Sequence, residues 1–115
     1  MTPIAKQKSP EDMTGQVFKP ADVVNYQTGA IVSHEVIGKK TGTVTVFAFD
    51  VGQQLSEHTA PFDAMIVGLD GEAEVFIAGE PNRVKAGDMI IMPANVPHAL
   101  QAVRPFKMLL IMIKK

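Results

Sequence analysis

Three histidines, His34, His58 and His98, are the side chains of this sequence best suited to hold a metal or move a proton near neutral pH. No cysteine accompanies them, so disulfides, thiol nucleophiles and thiolate metal sites are excluded. His58 lies in the stretch from Gly52 to Ala64, between Glu57 and Thr59-Ala60-Pro61-Phe62-Asp63. His98 ends a second stretch, Gly87 to Pro97, in which Pro93-Ala94-Asn95-Val96-Pro97 must be loop because proline cannot donate to a strand ladder.

Two kinds of chemistry follow from that pair. As metal ligands, two neutral imidazoles fall short of the three protein ligands usual at a catalytic zinc or iron. Asp63 is the nearest carboxylate able to complete the set, although strand alternation turns it away from Ala64. Glu57 has the same difficulty relative to His58, and His34 and Gln54 are weaker candidates. Iron, nickel, zinc or manganese would suit such a site. Without a metal, one imidazole can serve as a general base or as a polar anchor in an otherwise apolar pocket.

Other residues carry less. Ser56 lacks a Gly-x-Ser-x-Gly setting, and no phosphate-cradling glycine loop occurs. Glu72 and Glu74 share one face of a short run and read as a solvated surface. The methionines Met89, Met92, Met108 and Met112 lie in the most apolar runs and read as core filler rather than as a soft-metal site.

The elements that must position the histidines are short. Apolar runs over 30–37, 43–49, 64–69, 72–77, 89–92, 96–103 and 106–113 are separated by turn residues. This spacing predicts an all-β sandwich or barrel and no βαβ unit. Asp70-Gly71 predicts a hairpin between the runs on either side, since a type I′ turn takes positive φ at both central residues. Residues 1–20, polar and proline-bearing, predict an extended lead-in to a single domain over 21–115, with a turn or two of helix within 11–17 or 20–25. The runs 89–92 and 108–113 are apolar on both faces, which predicts a cover for their outer side, a second subunit in a homodimer.

With 115 residues the chain is one domain. A net charge of −1 and scattered lysines give no basis for a nucleic-acid or anionic-membrane partner. Nothing in the first twenty residues looks like a signal peptide, so a cytoplasmic location is expected.

The two stretches resemble the two motifs of the cupin superfamily. Gly52, His58 and Gly71 match the first, and Gly87, Pro93 and His98 match the second, over a resemblance extending from about Gln27 to Ile113. Ala60 stands at the position of the first motif's second histidine, Ala64 at that of its glutamate, and Asn95 replaces a glycine. The resemblance implies a double-stranded β-helix (jelly-roll) barrel with His58 and His98 in its lumen. The pocket would be lined by His58, Ala60, Ala64, Ile66, Met92, His98, Leu100 and Met108. With two of four metal ligands replaced by alanine, the expected function is binding of a small molecule in the lumen without a metal. The alternative is a metal-dependent oxygenase or isomerase using His58 and His98, with Asp63 as a further ligand.

Overall fold

The structure, a computed structural model, describes residues 13–114. After a 3-10 turn at Pro20–Asp22 come β1 (Ile31–Lys39), β2 (Gly42–Phe49), β3 (Gln54–His58), β4 (Asp63–Asp70) and β5 (Glu72–Ile77). β6 (Glu80–Lys85), β7 (Met89–Met92), β8 (His98–Ala102) and β9 (Phe106–Ile113) complete the chain. They form two antiparallel sheets, ordered β1-β2-β9-β4-β7 and β3-β8-β5-β6. This is the all-β jelly-roll expected of the sequence.

Alternation sorts each strand between the two faces. Phe49 in β2, Ala64 and Ile66 in β4, Met92 in β7, and Phe106 and Met108 in β9 point inward from the five-stranded sheet. Ala73 and Val75 in β5, Val84 in β6, and Leu100 and Ala102 in β8 meet them from the other sheet. Phe49 and Phe106 are fully buried, with ring centroids 6.2 Å apart. Truncating either to alanine would cost about 3–5 kcal/mol.

A second cluster lies on the outer face of the larger sheet, where Val24 packs on Val36, Val46 and Ala48, with Met13 and Tyr26 beside them. Two polar contacts fasten this N-terminal strap. The Tyr26 hydroxyl donates to the Asp70 carboxylate at 2.5 Å, and the Lys107 ammonium donates to the Ala21 carbonyl at 2.6 Å. Burial, reinforced by the Asp70 hydrogen bond and charge, pushes the Tyr26 phenol far above its ordinary pKa. Of the expected lead-in, residues 1–12 lie outside the described residues. Met13 packs against the sheet instead of trailing from it.

Four expectations are corrected. Asp70-Gly71 is not a hairpin: β4 pairs with β7 and β9, while β5 pairs with β6 and β8. The chain changes sheets there, with Gly71 at φ 76°, and a Cβ on it would collide with the Pro105 carbonyl oxygen. The two-residue turn with both φ positive is Ala78-Gly79, at 52° and 81°, closing the β5–β6 hairpin at Ile77 and Glu80. β3 and β6 are strands that the run of apolar residues did not reveal. β6 carries Pro81, tolerated because this strand is a sheet edge. Glu72 is no free surface charge, being ion-paired with Arg83 and, at 3.6 Å, with Arg104.

The outer face of β4, β7 and β9 is apolar and open in the single chain, with Met89, Ile91 and Ile113 about 60% exposed. Among the described residues no helix is long and apolar enough to cross a membrane.

Candidate functional site

The site is built where β3 and β8 run side by side. His58 closes β3 and His98 opens β8, and the two are direct partners across the ladder after an irregularity between Leu55 and His58. Their ring centroids are 4.4 Å apart, with an edge-to-face angle of 72°. His98 is buried and His58 is exposed, so one ring lies deeper in the barrel than the other.

Both rings are held in the same way. His58 Nδ1 lies 2.8 Å from the Ser56 carbonyl, and His98 Nδ1 lies 3.1 Å from the Val96 carbonyl. A carbonyl only accepts, so each Nδ1 carries the proton and donates it two residues back along its own chain. Each Nε2 is left as the ring atom available to a guest. The tautomer is thus set by local backbone geometry and repeated at both histidines.

Two loops meet above the pair. The Asn95 N–H donates to the Ala60 carbonyl at 2.7 Å, and the Ala94 N–H donates to Asp63 Oδ1 at 2.9 Å. Asn95 sits at φ 64°, a left-handed conformation that asparagine tolerates, which explains how it stands in for glycine. The 59–62 and 93–97 loops are therefore stitched to each other, and the stitching fixes where β3 ends and β8 begins.

Beneath the histidines is a cavity of about 70 Å³. It is lined by His58, Ala60, Ala64, Ile66, Met92, His98, Leu100 and Met108. Leu55, Phe62, Ala99, Leu110 and Met112 also line it. Leu110 and Met112 could have been found by stepping in twos from Met108 along β9. Phe62 and Ala99 gave no such signal, because their positions depend on loop shape and strand twist. Among the described residues no aspartate or glutamate lines the cavity.

The remaining candidates lie elsewhere. Asp63 spends its carboxylate on the Ala94 N–H, and so acts on the loop rather than in the lumen. Gln54 is exposed and pairs with Gln101 at the far end of β3. His34 is half-buried in β1, and its Nε2 has no hydrogen-bond partner among the described residues.

Two imidazoles with Nδ1 tied to carbonyls are oriented as metal-binding histidines usually are. The donor count stops there: among the described residues no group of three His, Cys, Asp or Glu side chains could hold a metal ion. Ala60 and Ala64 offer methyl groups where further ligands would be needed. The residues present do not fit a resident metal held by three or four side chains.

A sequence model of the family described as the cupin domain matches residues 45–113. None of the curated proteins compared with this chain is similar to it. Among solved structures, a conserved protein of unknown function from Streptococcus pyogenes is 38% identical, with 88% of this chain and 89% of that one covered and a TM-score of 0.84. A cupin 2 conserved barrel domain protein from Leptotrichia buccalis is 43% identical over 82% of this chain, which spans 46% of that longer protein, with a TM-score of 0.79. A cupin superfamily protein from Desulfitobacterium hafniense shares the fold at 22% identity and a TM-score of 0.83, with 89% and 94% of the two chains covered. The family match and these likenesses, joined to the paired histidines in the barrel, make this chain a member of the cupin family.

Proposed function

We propose that the protein binds a small organic molecule in the barrel lumen without a resident metal, with His58 and His98 as its polar anchors. One observation carries this reading: two imidazoles with matching, backbone-fixed tautomers stand over a cavity whose remaining lining is apolar. A mostly apolar cavity with a few convergent polar groups is the usual form of a small-molecule site. The metal-dependent oxygenase or isomerase reading needs a third ligand that these walls do not supply.

The test is a thermal-shift screen of small organic molecules against the wild type and Ala60→Phe, which puts a ring at the rim without disturbing a strand. Compounds that stabilise the wild type and lose their effect in A60F support the reading. Stabilisation retained in full by folded A60F contradicts it.

The partner belonging to this reading is a second copy of the chain, seated on the outer face of β4, β7 and β9. Met65, Val67, Met89, Ile91 and Ile111 make that face apolar, and the charged residues in the same alternation, Asp63 and Lys107, are taken up by the Ala94 N–H and the Ala21 carbonyl, which suits a copy of itself better than a charged partner. Ile91→Lys should then convert a dimer to a folded monomer in sedimentation. A wild type that sediments as a monomer at high concentration would contradict this pairing.

A further inference from the structure

The lumen has a polarity that its lining residues alone do not show. Met108, Leu110 and Met112 face the cavity at alternate positions of β9. The next residue in that alternation is Lys114, just past the strand end. Its backbone N–H donates to the Thr41 carbonyl at 2.8 Å, which continues the strand's path and keeps the alternation in step. The Lys114 ammonium then lies 5.6 Å from the ring centroid of Phe62, itself a wall of the cavity. The stripe of apolar side chains along the lumen therefore ends in a cation at the rim.

Among the described residues no acidic group opposes it there. The cavity lining contains none, Asp63 is turned to the Ala94 N–H, and among the described residues Lys114 has no ion-pair partner. Imidazoles line the cavity and an ammonium stands at its rim beside Phe62, while the nearby carboxylate faces away. A cation at the rim with no acid in the lining favours an anionic guest over a cationic one.

Resting on the reading of the lumen as a small-molecule site, we propose that its ligand is a short-chain monocarboxylate. The carboxyl group meets a histidine Nε2, the carbon chain lies against Met92, Met108 and Ile66, and Lys114 attracts the anion to the rim. With Nδ1 already donating to a backbone carbonyl, Nε2 is an acceptor, so the carboxylate binds with uptake of one proton from solvent and the resulting Nε2–H donates to a carboxyl oxygen in a charge-assisted hydrogen bond. The size limit follows from volume. An apolar cavity of ~150 Å³ accepts benzene. A cavity of about 70 Å³ therefore accepts about half as much, an apolar body of about three carbons.

The experiment is a calorimetric titration of the whole protein with isobutyrate, isobutyramide and isobutanol, three probes of one carbon body and different heads. Isobutyrate should bind about tenfold more tightly than either neutral probe. Lys114→Gln should weaken isobutyrate about two- to fivefold, leave the neutral probes unchanged, and remove the salt dependence of isobutyrate binding. Amide or alcohol binding as tightly as the acid would overturn the carboxylate and leave the lumen reading in place. So would silence from all three probes alongside A60F-sensitive hits in the thermal-shift screen. Silence in both experiments would overturn the two proposals together.

Discussion

His58 and His98 face each other across the β3–β8 ladder, 4.4 Å between ring centroids, each anchored through Nδ1 to the carbonyl two residues before it. The consequence is a pair of Nε2 atoms whose direction depends on backbone alone. No carboxylate behind either ring is needed to hold it. Such a pair keeps its geometry with or without a guest, and recognition benefits because little ordering is left to accomplish on binding.

Restoring the missing ligands tests the placement of the alanines. Ala60→His with Ala64→Glu should create affinity for zinc or nickel, since three imidazoles and a carboxylate would then converge on one point. The wild type, purified without tag or chelator, should carry far less than one equivalent of transition metal in elemental analysis. Stoichiometric metal in the wild type, lost on His98→Ala, would favour the enzyme reading instead.

Asp63 acts on position, not chemistry. Asp63→Ala removes the acceptor for the Ala94 N–H and should destabilise the fold by about 1 kcal/mol in urea unfolding. The same change should raise hydrogen exchange in the 93–97 loop and weaken ligand binding. Asp63→Asn, which keeps an acceptor oxygen, should recover most of both losses.

Ala78 holds a positive φ without glycine's freedom. Ala78→Asn should therefore stabilise the protein by about 0.5–1 kcal/mol, because asparagine tolerates the left-handed region. Gly71→Ala should do the opposite and severely, since the Pro105 carbonyl occupies the space its methyl would need. Chemical denaturation of the two variants beside the wild type measures both signs.

Glu72 links stability to acid. The Arg83 hydrogen bond and charge, aided by Lys85 and Arg104, outweigh burial and hold its carboxyl below the usual glutamate range. A depressed folded-state pKa contributes stability above the unfolded value and loses it as pH falls through the folded one. The difference in Tm between wild type and Glu72→Gln should be constant near neutrality, shrink below about pH 4.3, and vanish once the folded carboxyl is protonated.

How far the sequence could be read depended on whether a signal was local. The barrel was legible in the recurrence of short β-branched runs, and the lumen in the resemblance to the cupin motifs that Gly52, His58, Pro93 and His98 carry. Asp70-Gly71 misled because the same dipeptide serves a hairpin and a change of sheet, and only the partner strands distinguish them. β6 was hidden by Pro81, and by polar residues suited to an edge. The strap over Val36 and Val46 was invisible because Met13, Val24 and Tyr26 are isolated apolar residues in a polar stretch. Lys114 carried no signal of its own, and only the alternation of Met108, Leu110 and Met112 along β9, carried one step past the strand, brings it to the rim beside Phe62.

The measurement that bears most directly on the lumen as the binding site is methyl NMR of the methionines during titration with a hit from the thermal-shift screen. Met92, Met108 and Met112 line the cavity, while Met65 and Met89 lie on the outer face. The predicted result is saturable shifts confined to the first three and abolished in His58→Asn and His98→Asn. Shifts confined to Met65 and Met89, or lumen shifts undiminished in both histidine variants, would contradict it.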